Sequence, residues 1–292
     1  MAEAVSRAPG PAGELQERAR TEAGRMLAGA FARARMEGRA ALVGYWPAYF
    51  PDGPRSRQAL LALAEGGCDV VEVGVPFSDP VADGPVLQEA AAVALQAGAT
   101  LKAGVELAGE VYRRTGVPTV LMSYYNPLLQ MGEERLAALM EQHQVLGLIV
   151  PDLPVEESEA LVQALRRRQR AWVALAAPTS AGRLQEIAAA SDGFIYAVTR
   201  TGVTGPAGEL SPEALQLWRA LREVTTLPVA LGFGVSSPEQ AAALRQADGV
   251  VVGTAFVQAY RNARPQGDAT DLSPEQAARQ LAASLRQALV RR

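Results

Sequence analysis

Residues 69–85 read DVVEVGVPFSDPVADGP, and this stretch indicates the fold of the chain. A β-branched apolar run, Asp69–Val75, leads into a loop rich in proline, aspartate and glycine, and a helical segment, Leu87–Ala97, follows. Nearly continuous apolar runs of this kind are typical of strands buried on both faces, as in parallel sheets. Because parallel strands need crossover connections, the order of strand, loop and helix predicts a βα unit.

The same unit recurs along the chain, where eight short apolar runs alternate with longer helical stretches. The predicted strands are Ala41–Tyr45, Asp69–Val75, Thr119–Tyr124, Gly147–Pro151, Trp172–Ala176, Gly193–Val198, Pro228–Phe233 and Gly249–Val252. The predicted helices are Ser56–Glu65, Leu87–Ala97, Leu101–Thr115, Glu134–His143, Glu156–Arg168, Gly182–Ala190, Pro212–Val224 and Pro238–Gln246, with a short turn after Gly253 and a closing C-terminal helix, Pro274–Val290, capped by Ser273. This pattern predicts an α/β fold, a closed (β/α)8 TIM barrel. An open doubly wound sheet is disfavoured because no GxGxxG follows the first strand.

The length of 292 residues suits a single barrel domain, which we expect over residues 41–292. Residues 1–40 form an N-terminal extension with a break at Pro9, Gly10 and Pro11. An extra amphipathic helix is predicted from about Gly13 to Met36, and we expect it to cap the barrel.

Composition excludes several classes of function. The formal net charge is −3 and no basic stripe is present, so nucleic acid is not an expected partner. No apolar run is long enough to span a bilayer and no secretory signal is recognised, so we expect a cytoplasmic protein. The sequence holds one cysteine, Cys68, one histidine, His143, and one lysine, Lys102. These scarcities exclude disulfides and zinc clusters, argue against a metal site and disfavour a Schiff base, which leaves carboxylates as the expected catalytic groups.

Two carboxylates stand out in the opening stretch. Glu72 lies within an apolar strand, where alternation places it opposite Val71 and Val73 and therefore inside a closed barrel. A buried carboxylate must be paired, hydrated or neutral, so Glu72 is a candidate acid or base, with a structural ion pair or an outward register as the alternative. Asp83 follows in the loop after the same strand, although aspartate before glycine is also a common turn former.

Glycines after the late strands suggest a phosphate site. Gly232 and Gly234 end the seventh predicted strand, and Gly253 with Thr254 ends the eighth. Exposed backbone N–H groups bind phosphate, and barrels commonly hold phosphate at this position, although such glycines also permit tight turns. The loop Thr199–Leu210, which is rich in glycine and threonine, is either a lid over the substrate or a mobile loop without that role.

These segments together resemble the tryptophan synthase alpha chain from about Ala41 to Val257. The matching pieces are EVGVPFSDPVADGP (72–85), LMSYYNPLL (121–129), LIVPDLPVEES (148–158), LAAPTS (175–180), TGVTG (201–205), LGFGVSSPEQ (231–240) and DGVVVGTA (248–255). The resemblance implies the α/β barrel fold and a lyase of tryptophan biosynthesis, which cleaves indole-3-glycerol phosphate to indole and glyceraldehyde 3-phosphate.

Roles for individual residues come from the same resemblance. Glu72 would be the general acid and base, and Asp83 would accept a hydrogen bond from the indole N–H. The phosphate would lie on Gly205, Gly234, Gly253 and Thr254. The resemblance further implies that Tyr196 orients Glu72, that Tyr124, Met122 and Asp152 border the indole, and that Thr204 contacts Asp83 when the lid closes.

The resemblance also implies a partner. A beta chain that carries pyridoxal phosphate would dock on the loops containing Asp79, Pro80 and Asn126, and an alpha2beta2 tetramer is expected. This chain itself would need no metal and no cofactor. The sequence departs from the family pattern in the turn GYWPAYFPDG (44–53) and in Thr254, where serine is usual.

Three alternatives remain open at this point. The chain could be a stand-alone indole-3-glycerol-phosphate lyase with no partner, or a largely non-catalytic allosteric binding subunit. It could also be another phosphate-binding barrel, such as a decarboxylase or isomerase, although the SDPVADG loop would then be unexplained.

Overall fold

The computed structural model describes residues 20–198, 212–232, 234–263 and 272–291. Its parallel strands are β1 (Ala41–Pro47), β2 (Val70–Gly74), β3 (Thr119–Met122), β4 (Gly147–Ile149), β5 (Ala171–Trp172), β6 (Leu175–Ala176), β7 (Ile195–Val198), β8 (Val229–Gly232) and β9 (Gly249–Val252). Its helices are α1 (Glu22–Met36), α2 (Gly53–Glu65), α3 (Pro85–Gln96), α4 (Leu101–Thr115), α5 (Tyr125–Met131), α6 (Glu133–His143), α7 (Glu159–Arg167), α8 (Leu184–Ala190), α9 (Pro212–Val224), α10 (Pro238–Ala243), α11 (Thr254–Asn262) and α12 (Pro274–Ala288).

The strands form one curled sheet in the order β5-β4-β3-β2-β1-β9-β8-β7-β6. The two ends of this order, β5 and β6, are separated by only two residues of chain, Val173 and Ala174. They are therefore two halves of one barrel strand, and the sheet closes on itself through them. The predicted (β/α)8 barrel is confirmed. The predicted fifth strand, Trp172–Ala176, is present but interrupted at Val173 and Ala174, and it pairs with β4 on one edge and with β7 on the other.

Side chains alternate between the two faces of the barrel wall. Val43, Val70 and Val120 belong to an interior cluster of buried residues, whereas Val71 and Val73 pack in the larger cluster between the strands and the surrounding helices. This alternation explains why the strand sequences are apolar at nearly every position.

Helix α1 closes the N-terminal end of the barrel. Its side chains Leu27 and Phe31 are buried in the interior cluster, and the Phe31 ring lies 5.0 Å from that of Phe194. The buried carboxylate of Asp192 accepts hydrogen bonds from the backbone N–H (3.0 Å) and the hydroxyl (2.6 Å) of Thr21, the N-cap of α1. The helix therefore packs against the barrel core as an integral layer. It begins at Glu22, and residues before Arg20 lie outside the described part of the chain.

The cap predicted for the C-terminal helix is present, but the sequence did not predict two of the other helices. Ser273 caps α12 with a reciprocal bond to Gln276, as predicted. The predicted turn after Gly253 is wrong, because α11 continues for nine residues. The segment Tyr125–Met131, for which no helix was predicted, forms α5. The predicted helices beginning at Glu156 and Gly182 each open instead with a separate 3-10 turn, at Val155–Glu157 and Pro178–Arg183.

Within the described ranges, no helix combines the length and the apolar character needed to cross a lipid bilayer.

Candidate active site

Glu72 lies at the centre of β2 on the interior face of the barrel. Its neighbours in register are Tyr45 on β1 and Val120 on β3, and it alternates with the outward residues Val71 and Val73. Its side chain is buried, with a relative exposure of 1%. The wall of the barrel therefore holds an acidic group in an apolar interior, two residues before the C-terminal end of β2. Active sites of this fold lie at that end of the barrel.

The Glu72 carboxyl group has no hydrogen-bond partner among the described residues. Burial, and secondarily the nearby charge of Asp83, raises the pKa of Glu72 to about 8. Both causes act against the ionised form, because removal from water and a like charge each disfavour a carboxylate. Glu72 is therefore mainly protonated at pH 7 and able to donate a proton.

Asp83 lies in the loop between β2 and α3 and is partly buried. Its Oδ2 accepts a hydrogen bond of 3.3 Å from the hydroxyl of Tyr124, and that hydroxyl also accepts the backbone N–H of Ala82 at 2.9 Å. Burial raises the pKa of Asp83 to about 6, against the opposing effect of the Tyr124 bond. Asp83 is therefore mainly ionised at pH 7.

The two carboxyl groups have different pKa values because their environments differ. Two carboxyl groups that titrate at different pH can serve as acid and as anion at the same time. Each titration midpoint depends on both groups, because the charge of Asp83 contributes to the raised pKa of Glu72. At neutral pH the pair offers one proton donor and one negative charge.

Two tyrosines, the partly buried Tyr196 and the buried Tyr45, flank the carboxyl groups. Tyr196 lies on the interior face of β7, and its ring packs so closely on Gly232 that any β-carbon there would collide with it. Burial, followed by the charges of Glu72 and Asp83, raises the pKa of the Tyr196 phenol. Tyr196 does not hydrogen-bond to Glu72, whose oxygens are unpartnered. The orienting role predicted for Tyr196 is therefore not seen in this state of the protein.

Tyr45 was not selected from the sequence. Its hydroxyl lies directly over Gly74 and its ring lies beside Gly253, where an added β-carbon would come within 2.9 Å of Cδ1. Burial, followed by the charges of Asp83 and Glu72, raises the pKa of this phenol as well. Alternation along β1 could have identified it, because Tyr45 follows the inward residue Val43 by two positions.

The residues predicted to border the indole separate into two groups. Met122 ends β3 and packs against the interior cluster beside the candidate site. Tyr124 is buried, stacks on Phe77 with ring centroids 5.2 Å apart, and holds Asp83. Asp152, by contrast, is exposed, and its Oδ1 accepts the backbone N–H of Tyr125 at 2.9 Å. Asp152 thus caps α5, which has no capping side chain of its own.

The candidate phosphate residues lie at the ends of β8 and β9. Gly234 has a φ of +70° in the turn after β8 and is exposed. Gly253 and Thr254 open α11, whose N-cap makes no side-chain hydrogen bond. The first N–H groups of a helix have no partner within the helix, so this end can bind an anion. Gly205, Thr204 and the rest of the predicted lid, Thr199–Leu210, lie outside the described residues.

The residues predicted to contact a partner lie on the surface at the same end of the barrel. Asp79 and Asn126 are exposed and Pro80 is partly exposed. Beside them, the large apolar side chains of Val81 and of Leu129 on α5 are 73% and 58% exposed. No group of His, Cys, Asp and Glu side chains that could hold a metal ion occurs in the described portion of the chain.

The fold and the site together define a class of protein. It is a (β/α)8 barrel that carries a buried acid and an ionised carboxylate near its C-terminal mouth, the position at which enzymes of this fold hold their active sites.

Comparisons with known proteins then specify the family. Residues 31–287 match the family model described as tryptophan synthase alpha chain. The tryptophan synthase alpha chain of Geobacillus kaustophilus is 44% identical over 237 residues, which cover 78% of this chain and 88% of the relative. That of Streptomyces avermitilis is 42% identical over 245 residues, covering 83% and 88%. This chain belongs to the tryptophan synthase alpha chain family, and it is an alpha-subunit lyase of tryptophan biosynthesis.

Solved structures agree with this assignment. A chain of Mycobacterium tuberculosis tryptophan synthase superposes with a TM-score of 0.81 at 36% identity, covering 91% of this chain and 98% of that one. The tryptophan synthase subunit alpha from Legionella pneumophila gives a TM-score of 0.81 at 29% identity, with coverage of 90% and 98%. The family predicted from the sequence motifs is confirmed.

Proposed function

We propose that this chain cleaves indole-3-glycerol phosphate to indole and glyceraldehyde 3-phosphate by acid–base catalysis. The observation that carries the proposal is the buried Glu72, which is without a hydrogen-bond partner and is protonated at neutral pH, beside the ionised Asp83. The reaction needs one group that can give a proton to carbon and one that can stabilise positive charge. Family membership supports the choice of substrate.

Glu72 acts first as an acid. It donates its proton to C3 of the indole ring, which becomes an indolenine with positive charge at N1. The Glu72 carboxylate then removes the proton from the hydroxyl on the carbon attached to C3. The electrons of that O–H bond form the aldehyde carbonyl, and the breaking carbon–carbon bond returns its electrons to the ring. Glu72 ends protonated, and no oxidant, reductant or bound cofactor is consumed.

Asp83 stabilises the charge that develops on the ring. Its carboxylate accepts a hydrogen bond from the indole N–H, and this bond strengthens as N1 becomes positive. The Tyr124 hydroxyl, which donates to Asp83, holds the carboxylate in place before the substrate arrives. A hydrogen bond that strengthens only in the transition state increases the rate more than it increases affinity.

The phosphate is proposed to bind at the ends of β8 and β9, on Gly234, Gly253 and Thr254 together with Gly205. Gly253 and Thr254 supply backbone N–H groups at the start of α11. Anchoring the phosphate holds the glycerol chain within reach of Glu72 and reduces the entropy lost in reaching the transition state.

We further propose that a beta chain carrying pyridoxal phosphate docks on the surface formed by Asp79, Pro80 and Asn126, in an alpha2beta2 assembly. The exposed apolar side chains Val81 and Leu129 lie on this same surface and support an interface there. A cytoplasmic location stays a prediction. A stand-alone lyase and a subunit with decayed catalysis are less well supported, since the chain keeps both carboxylates and the exposed apolar surface.

An indole-release assay with and without a beta chain tests the proposed function. We expect slow cleavage by the purified chain and an acceleration on the order of 10-fold or more when a beta chain is added, because subunit coupling typically has this size. In Val81→Glu the basal rate should be retained and the acceleration lost. Val290→Glu, which alters an exposed apolar residue at the opposite end of the barrel, should behave as the wild type.

Rapid cleavage without a partner, unaffected by any beta chain, would instead indicate a stand-alone lyase. Absence of cleavage under both conditions, in a folded protein, would contradict the proposed reaction.

A further inference from the structure

Tyr45 crosses from its own strand onto the strand that carries Glu72. The two residues are register partners on β1 and β2, and both belong to the inward face of the barrel. The Tyr45 hydroxyl lies directly over Gly74, which follows Glu72 by two positions on the same face of β2. Any side chain at Gly74 would occupy the space of the phenol. The hydroxyl therefore lies beside Glu72, on the side of the C-terminal mouth.

The backbone of two neighbouring strands fixes the position of the Tyr45 ring. Gly74 lies under the hydroxyl, and Gly253, which follows β9 on the other side, lies where an added β-carbon would come within 2.9 Å of Cδ1. The ring thus fills the space of two absent side chains, and the residue is only 8% exposed. Because a packed aromatic ring has few other rotamers available, the hydroxyl keeps its place. The carboxyl group of Glu72, which no hydrogen bond among the described residues holds, can turn toward it.

The Tyr45 hydroxyl is a donor without an acceptor. It makes no hydrogen bond in the part of the chain that the structure describes, and the charges that act on it most strongly are those of Asp83 and Glu72. Burial, followed by these two charges, raises the pKa of the phenol, so Tyr45 keeps its proton at neutral pH. A buried hydroxyl of this kind is unfavourable until an acceptor reaches it.

The strand on the other side of Glu72 offers no such donor. Strand β3 places Val120 in register with Glu72, and Met122 follows on the same face. Both side chains are apolar, and Met122 packs against the interior cluster to which Val120 belongs. Of the two described strands that pair with β2, β1 alone brings a hydroxyl group to the inward face beside Glu72.

The other two tyrosines of the site are directed elsewhere. Tyr196 extends from β7 over Gly232 on β8, and both strands are separated from β2 by β1 and β9. The Tyr124 hydroxyl donates to Oδ2 of Asp83, which leaves Oδ1 for the indole N–H of the substrate. Tyr45 is therefore the tyrosine whose hydroxyl is placed to serve Glu72.

The proposed reaction creates an acceptor at this place. When Glu72 gives its proton to C3, it becomes a carboxylate in an apolar wall, close to the charge of Asp83. An ionised carboxylate in such surroundings is unfavourable without hydrogen bonds. A phenol that donates to it makes a charge-assisted bond, which is roughly twice as strong as a neutral one. The carboxylate must also stay within reach of the substrate hydroxyl whose proton it removes next.

We propose that Tyr45 is a positioning residue: its hydroxyl donates a hydrogen bond to the Glu72 carboxylate formed in the first step and holds it for the second. The inference rests on the proposed function, since it concerns the same reaction. Tyr45 keeps its own proton throughout, so the proton that Glu72 gives to C3 is still balanced by the one that it removes from the substrate hydroxyl. The bond belongs to the substrate complex, because Glu72 and Tyr45 are not bonded in the structure of the chain alone.

Tyr45→Phe tests this role, because it keeps the ring between Gly74 and Gly253 and removes only the hydroxyl. We expect kcat for indole-3-glycerol phosphate to fall about 10–100-fold, the range for a lost hydrogen bond to a charged group, with KM within about twofold of wild type. The pH profile of kcat reports groups in the substrate complex. Its alkaline limb should move up by about one pH unit or more, because the ionised form of Glu72 loses its donor.

Tyr112→Phe is the matched control. It makes the same chemical change on α4, where the Tyr112 ring also packs against the interior cluster, and both kcat and its pH profile should stay those of the wild type. Tyr196→Phe shows which tyrosine serves Glu72. It should leave the alkaline limb of kcat in place, whatever its effect on the rate.

An unchanged kcat in Tyr45→Phe, or a rise in KM alone, would overturn the role, since the hydroxyl would then contribute nothing after proton transfer. A shift of the acid limb near pH 6 instead of the alkaline limb would assign the hydroxyl to Asp83 and would overturn it as well. These outcomes leave the proposed function standing, because that function fails only if the wild type releases no indole with or without a beta chain.

Discussion

Glu72→Gln should reduce the rate of indole release by at least about 10³-fold. The amide cannot give a proton to C3, and general acid–base catalysis typically contributes about 10²–10⁴-fold. The effect should appear in kcat with little change in KM, because Glu72 acts on the reacting atoms and the phosphate end is untouched. A steady-state assay with indole-3-glycerol phosphate measures both constants.

The fold of this variant should be retained, and its stability provides the control. The folded-state pKa of Glu72, about 8, lies above its ordinary value of 4.5, so the folded wild type binds this proton more tightly than the unfolded chain. The contribution of protonated Glu72 to the free energy of unfolding of the wild type is therefore fully present below pH 4.5 and is lost as the pH rises to 8. Glu72→Gln has no ionisable group at this position, so it does not lose this stability. Its free energy of unfolding should therefore increase relative to that of the wild type by roughly 1 kcal/mol for each pH unit between pH 5 and 8. Near-normal turnover in Glu72→Gln would refute the assigned mechanism.

Asp83→Asn should lower kcat/KM by roughly 10²–10³-fold, the usual cost of removing one group that stabilises transition-state charge. It should also change the pH dependence of kcat/KM. In the wild type we expect the acid limb near pH 6, where Asp83 gains its proton, and the alkaline limb near pH 8, where Glu72 loses its proton. The variant should lose the acid limb and shift the alkaline limb to lower pH, because the charge of Asp83 no longer raises the pKa of Glu72.

Asp79→Asn is the matched control for this experiment, since it removes an exposed carboxylate from the same loop. Without a beta chain it should retain wild-type kcat/KM and both limbs of the pH profile. An acid limb near pH 6 that persists in Asp83→Asn would show that another group controls it.

Much of the fold followed from periodicity in the sequence. The alternation of apolar strands with helices predicted the closed barrel, because strands buried on both faces leave a clear compositional signal. The same alternation indicated that Glu72 lies on a different face from Val71 and Val73, and the structure places it inside. Such inferences need only the residues of one strand.

Features set by contacts distant in sequence could not be predicted in this way. Helix α5 is capped by Asp152, 27 residues after its partner Tyr125, so its own sequence carried no capping signal. The role of Asp152 beside the indole, which the resemblance implies, stays a prediction, and the contact described for its side chain is this cap. Helix α11 is stabilised by tertiary packing of Phe256 in the core, although its residues include weak helix formers. The break between β5 and β6 lies where pairing with β4 ends and pairing with β7 begins, and the sequence of the strand itself does not contain this information.

At neutral pH Glu72 should carry a proton in the resting protein while Asp83 does not. The protonation of Glu72 can be measured directly by carbon-13 NMR of protein labelled at the side-chain carboxyl carbons of glutamate, with the Glu72 signal assigned by its absence from Glu72→Gln. We predict a titration midpoint near pH 8 for this signal, displaced upward from the ordinary value of 4.5 by burial and by the charge of Asp83. A Glu72 signal that titrates near pH 4.5 would mean an ionised carboxylate at neutral pH, and would contradict the account.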